Sequence, residues 1–224
     1  MCGRYVLTLS GKLEDLPFVE ESEQLELELP WECYNISPGR EAPILDSDGH
    51  LKLAWWGLIP HWAKEPPKRP LINARSETAA QKPSFRVAYK SHRCAVPASG
   101  YFEWLRQGKE KPLPYYIPPT DSDMFWFAGL ASNWKGGESP RSTYCILTGP
   151  SEGTPVASIH DRCPIVLKSE HVKDWLQGRR DHSTASTVDA AARPFRVSTR
   201  VNQVKNDSPE NIIAVGESIR SREE

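Results

Sequence analysis

The sequence predicts an α+β chain dominated by strands, with a partly closed, mixed or antiparallel β core flanked by a few short helices. Three observations carry this. Apolar residues occur in short runs bounded by Gly, Pro or Ser, a strand pattern rather than a helical one. Two pairs of such runs flank turn signals and read as hairpins. Twenty prolines spread through 224 residues leave little room for a long helix.

In chain order, Ser10 is placed to cap a short helix over 11–22. Ala42–Leu45 and Leu51–Trp55 flank Asp48-Gly49, whose glycine suits a tight hairpin turn. Tyr101–Leu105 and Tyr115–Ile117 flank a turn containing Gly108. Met124–Leu130, Thr143–Leu147 and Ile165–Leu167 are short apolar runs expected as buried strands. Ser169 starts a second helix ending at Gly178, and Ser208-Pro209-Glu210 starts a last one over 209–219. No repeat, low-complexity tract or long linker divides the chain. A single domain is expected over 1–224, with the last residues, about 219–224, disordered.

A net charge of −1, with 25% charged and 38% hydrophobic residues, is that of a globular protein without the broad basic excess of a general nucleic-acid binder. Any contact with a phosphate backbone is therefore expected to be local. No stretch approaches the roughly 20 apolar residues of a membrane span and no secretory leader is present, so a cytoplasmic location away from the membrane is expected. Five cysteines, scattered and odd in number, fit reduced thiols. The chain contains no His-Glu-x-x-His, paired Cys-x-x-Cys, Walker loop or Gly-x-Gly-x-x-Gly, so no metal and no cofactor are expected.

Four segments carry possible chemistry. Cys2 follows Met1, and removal of that methionine gives a first residue with both an α-amine and a thiol. Their reference pKa values, about 7.7–8.0 and 8.5, give each a useful nucleophilic fraction at neutral pH. An aldehyde condenses with the amine to a Schiff base, and the thiol then closes a five-membered thiazolidine. The competing reading is a cysteine placed by chance on a frayed terminus. Asn73, Arg75 and Glu77 follow a proline-rich loop, where side chains reach a ligand. Glu103 lies in Gly100-Tyr101-Phe102-Glu103-Trp104, pointing opposite to Phe102 and Trp104. It reads either as a general acid or base with a raised pKa or as a solvent-facing carboxylate. His160, in His160-Asp161-Arg162-Cys163-Pro164, is either a titrating imidazole or a structural one.

Taken in order, Met1-Cys2-Gly3-Arg4, Tyr34-Asn35-Ile36-Ser37-Pro38-Gly39, Trp56-Gly57-Leu58-Ile59-Pro60-His61-Trp62, Ile72-Asn73-Ala74-Arg75-Ser76-Glu77-Thr78, Gly100-Tyr101-Phe102-Glu103-Trp104, His160-Asp161-Arg162 and Val204-Lys205-Asn206 resemble the SRAP family, the SOS response-associated peptidase or abasic-site-processing proteins. The resemblance runs nearly end to end. Two details depart from it: Cys163 stands where methionine or arginine is common, and His61 precedes Trp62. Neither is expected to touch the catalytic set.

The resemblance implies a protein that recognises abasic sites in single-stranded DNA and joins itself covalently to them. Cys2 would supply amine and thiol, Asn73 would hold the terminus and sugar oxygens, Glu103 would shuttle protons at the sugar ring oxygen, and His160 would serve the Schiff-base stage. The imine is also an electron sink, so the same site could eliminate the 3′ phosphate as a lyase does. Arg4 and Arg75 are the candidates for phosphates flanking the lesion, and Trp62 and Trp104 for base stacking. Ser37 and Thr148 add small polar contacts by family analogy. Trp55, Trp126, Trp134 and Trp175 read as packing residues. A monomer is expected, with protein partners at the replication fork left open. Two alternatives remain: a thiol peptidase using Cys2, which would need an oxyanion hole the sequence does not identify, and a non-catalytic reader of damaged DNA in which Cys2 is dispensable.

Overall fold

The computed structural model describes residues 2–9, 31–120, 124–181, 191 and 193–216. The helix expected over 11–22, its cap Ser10 and the 219–224 tail lie outside these.

Thr143 to Gly149 is buried at every position in β10 (Arg141–Pro150), the pattern of a strand covered on both faces. β10 is the axis of the larger sheet. Its first half pairs parallel with β4 (Leu51–Trp56) and antiparallel with β9 (Phe125–Trp134); its second half pairs parallel with β5 (Asn73–Arg75) and antiparallel with β11 (Arg162–Pro164). β3 (Glu41–Leu45) and β6 (Arg93–Ala98) complete a circuit β10-β4-β3-β6-β9-β10, so the strands close on themselves. Closure removes the exposed edges that an open sheet would present. The expected partly closed, mixed core is this ring.

A five-stranded antiparallel sheet has the order β13 (Phe195–Arg196), β8 (Leu113–Ile117), β7 (Gly100–Leu105), β1 (Arg4–Leu9) and β2 (Trp31–Ile36). Tyr5 joins the two sheets. Its hydroxyl lies 2.6 Å from that of Tyr144, and its ring meets Trp56 edge-on at 5.2 Å.

Both hairpins form. Ala42 faces Ala54 and Leu45 faces Leu51 across a turn where Gly49 takes φ +87°, a left-handed conformation that favours glycine. Tyr101 faces Ile117 and Leu105 faces Leu113 around Gly108. The 165–167 run, however, is divided: the Ile165 N–H bonds to β10, beside β11, while β12 (Val166–Leu167) pairs with β9. Ile165 bridges them, its N–H donating to Leu147 and its carbonyl accepting from Ala128.

Helices are short. The described ones are α1 (Ser76–Ala79), α2 (Arg86–Ser91) and α3 (Val172–Leu176), the last preceded by a 3-10 turn at Ser169–His171. The helix expected over 209–219 is a single 3-10 turn, Pro209–Ile212. It stops because the next residues enter extended pairing: Ala214 bridges to Val197, and the Val215 N–H donates to Arg196. No described helix is long and apolar enough to cross a membrane.

Candidate functional site

β1 and β7 run antiparallel with Arg4 opposite Phe102 and Tyr5 opposite Tyr101. Continuing this register by one residue sets Gly3 opposite Glu103, so the end of the chain that carries Cys2 is brought to the carboxylate by sheet geometry. Asn73, at the start of β5, closes the other side: its Nδ2 donates to the Cys2 carbonyl at 2.7 Å. β5 is itself held by β10, where Asn73 faces Ile146 and Arg75 faces Thr148. β11 leaves His160 just outside the opposite edge of β10, with Arg162 facing Pro150.

Cys2 is fully buried, and its thiol donates to the Arg4 carbonyl at 3.7 Å. Burial, and then the charge of Glu103, push the thiol well above its ordinary pKa. The expectation of a useful thiolate fraction at neutral pH is therefore corrected: desolvation keeps this sulfur as a thiol. The same coupling places Glu103 within electrostatic reach of the sulfur.

Glu103 is 2% exposed, so it is not a solvent-facing carboxylate. Burial pushes its pKa up to about 7, against the pull of the amino-terminal charge and the Trp104 backbone N–H, with Asp161 adding to the rise. Such a group exchanges a proton near neutrality. His160 is lowered below the usual histidine value, first by desolvation and then by the amino-terminal charge. Its Nδ1 accepts the Arg162 backbone N–H at 3.0 Å and lies 2.8 Å from Asp161 Oδ1. These two partners require opposite states of one nitrogen. A neutral ring with its proton on Nε2 satisfies the amide, and the downward pKa shift favours the neutral form over the charged one.

Cys163 was not expected to touch this set. It lies 1% exposed beside it, its pKa pushed up to about 11 by burial, and the charges of Glu103 and Cys2 are coupled to its sulfur. His61 is exposed on the loop that carries Trp62.

The residues expected to contact DNA are distributed differently. Arg75 is exposed at the end of β5, and Trp62 is 58% exposed on the loop after β4. Arg4 is half-buried, and its guanidinium donates to Asn35 Oδ1 at 2.8 Å and to the carbonyls of Val201 and Asn202 at 2.5 and 3.2 Å. Trp104 is partly buried, with its indole N–H on Asn202 Oδ1 at 2.7 Å. Ser37 is 4% exposed at the end of β2, and Thr148 is fully buried on β10. Trp126, Trp134 and Trp175 are buried packing residues as expected; Trp55 is partly covered, with the Arg141 guanidinium 4.7 Å above its ring.

Two groups were given no role from sequence. Asn35 is fully buried, and its amide donates to the carbonyls of Val201, Gln203 and Asn206, strapping the 199–206 segment against β1 and β2. Arg162 forms a two-bond ion pair with Glu77 at 2.8 and 2.9 Å. Both stand inside the quoted motifs, but their partners are far away in sequence. Asp46, Asp48 and His50 bring possible metal-ligand atoms within 4.8 Å of one another. Asp46 already accepts two backbone N–H bonds and the Lys52 ammonium, which closes the β3–β4 hairpin.

Residues 1–206 match the family model described as SOS response associated peptidase (SRAP). The chain is 34% identical over 223 residues to the abasic site processing protein YoqW of Bacillus subtilis, covering 95% of this chain and 99% of that one. It is 32% identical over 228 residues to the abasic site processing protein YedK of Escherichia coli, covering 95% and 99%. A crystal structure of a protein from Bacteroides thetaiotaomicron superposes with a TM-score of 0.81 at 24% identity, covering 96% of this chain and all of that one.

Proposed function

The chain belongs to the SOS response associated peptidase family, and from that premise we propose that it processes abasic sites in single-stranded DNA by capturing their aldehyde on Cys2. The observation that carries the reading is the convergence on Cys2: Asn73 holds its carbonyl at 2.7 Å, and a buried Glu103 with a pKa of about 7 acts on its thiol. The relatives named above as abasic site processing proteins support the substrate class.

An abasic deoxyribose rests mainly as a closed hemiacetal. Protonated Glu103 gives its proton to the ring oxygen as the bond from C1′ to that oxygen breaks, and the C1′ hydroxyl releases its own proton to solvent, leaving the C1′ aldehyde. With Met1 removed, the Cys2 amine adds to C1′, and loss of one water gives the imine. The Asn73 hydrogen bond fixes the residue that carries both nucleophiles, so each attack is intramolecular in effect. The thiol then adds to the imine carbon: the carbon–sulfur bond forms, the carbon–nitrogen double bond becomes single, the nitrogen takes up a proton from solvent, and Glu103, now a carboxylate, accepts the proton leaving sulfur. A thiol held protonated until this step suits the second addition and gives no support to a thiolate peptidase. His160, beside the same terminus, is suited as a neutral ring to relay the protons of imine formation.

Incubation with a single-stranded oligonucleotide carrying one abasic site, followed by boiling in detergent, tests this reading. Wild-type protein forms a boiling-stable adduct. Cys2→Ala forms none, and its uncaptured imine cleaves the strand. An adduct undiminished in Cys2→Ala excludes the mechanism.

A further inference from the structure

Arg162 spans β10. Thr148 on that strand faces Arg75 of β5 on one side and Pro164 of β11 on the other. From β11, the Arg162 side chain lies across it, with Nε 3.4 Å from Thr148 Oγ1 and Nη2 2.5 Å from the Thr148 carbonyl, and it ends on both carboxylate oxygens of Glu77 in α1. Its side chain is only 11% exposed. At the other end of the same residue, the backbone N–H donates to His160 Nδ1.

We propose that Arg162 is a positioning residue: its side chain locks the His160 loop to the segment that begins with Asn73, while its main chain fixes which nitrogen of His160 carries the proton. The proposal rests on the reading of the site given above. Its physical content is a continuous connection. Asn73 holds Cys2, four residues later Glu77 holds Arg162, and Arg162 holds the ring. A guanidinium paired through two parallel bonds has a defined orientation that a lysine ammonium cannot reproduce. Accepting an amide N–H at Nδ1 leaves the neutral ring with its proton on Nε2. Asp161 can accept from Nδ1 only when that nitrogen carries a proton, in the charged ring or the other neutral tautomer. The Glu77 carboxyl, held down at about 2 chiefly by Arg162, stays ionised and paired over the working range.

The test uses the full chain, single-turnover adduct formation on the abasic strand, and nitrogen-15 chemical shifts of the His160 ring. Arg162→Lys and Glu77→Gln are each expected to lower the limiting rate about tenfold or more. The strand concentration at half-saturation stays within about twofold, because binding is not the affected step. The double variant is no slower than the slower single one, and the ring shifts report a changed tautomer population in both. Unchanged limiting rates in folded variants overturn the proposal. So does a raised half-saturating concentration with an unchanged limiting rate, the result expected if Arg162 serves a phosphate. If the variants do not fold, the wild-type ring decides: a neutral His160 protonated on Nδ1 overturns the proposal, and one protonated on Nε2 supports it. Failure of wild-type protein to form any adduct removes the functional reading instead, and leaves the ring measurement to judge Arg162.

Discussion

Asn73 Nδ2 donates to the carbonyl of Cys2 at 2.7 Å, bridging 71 positions of sequence to fix the end of the chain against β5. The bond restrains the residue on which the proposed aldehyde capture depends, and its loss is expected to affect rate before stability. Asn73→Ala is expected to slow adduct formation about ten- to a hundredfold, from loss of one well-placed bond and the orientation it gives. Single-turnover kinetics on an abasic strand measure this; a rate within about twofold of wild type excludes the role.

Glu103 makes stability depend on pH in a defined direction. Its carboxyl ionises near 4.5 when unfolded and near 7 when folded. Between those values the unfolded chain binds fewer protons, so this group's contribution falls as pH rises from about 4.5 to 7 and is level above. The loss amounts to about 3 kcal/mol. Glu103→Gln removes that slope, and urea unfolding at pH 5 and pH 8 reads it. The variant is expected to be the more stable protein at pH 8 and the slower one in adduct formation. A wild-type protein whose Glu103 contribution does not decline over this range contradicts the assigned pKa.

Much of the ring was legible because its strands are local apolar runs between turn residues. Asp48-Gly49 and Gly108 announce their hairpins, and Thr143–Leu147 announces the axis. β6 was not legible: it is buried throughout, yet Pro97 within it reads as an interruption, and its place opposite Trp126 is a property of the closed ring. The division at Ile165 has the same cause, since two different neighbours compete for one apolar run. At the site, residue types were legible and environments were not. From position alone Glu103 fitted a solvent-facing carboxylate better than a buried acid until β7 proved covered on that face, and the Cys2 thiol looked ordinary until its full burial set its pKa. The Arg162–Glu77 pair, 85 residues apart, has no local signal at all.

Gly100 begins the strand that carries Glu103. A Cβ there would sit 2.2 Å from the Tyr116 hydroxyl oxygen, which donates to the Ser99 carbonyl at 2.7 Å. Gly100→Ala is expected to destabilise the fold by about 1–3 kcal/mol through this overlap. Thermal unfolding measures it, and a loss under about 0.5 kcal/mol contradicts the packing described.

Trp62 presents most of its indole to solvent on the loop after β4, where it is open to an unpaired base of a bound strand. If it stacks on one, Trp62→Ala weakens binding by about 1–3 kcal/mol without lowering the limiting rate of adduct formation. Fluorescence anisotropy with a labelled strand, combined with single-turnover kinetics, separates the two effects. Unchanged affinity excludes Trp62 as a platform.

Intact mass spectrometry of the adduct tests the aldehyde capture most directly, with and without borohydride present from the start. Thiazolidine formation requires the mass of a protein lacking Met1 plus the abasic strand less one water, formed without reductant and stable to boiling. Cys2→Ser, which keeps the amine but not the thiol, then yields a comparable adduct only when borohydride is present. A chain that retains Met1 in the adduct, or a wild-type adduct that needs reductant, contradicts capture by the paired amine and thiol of Cys2.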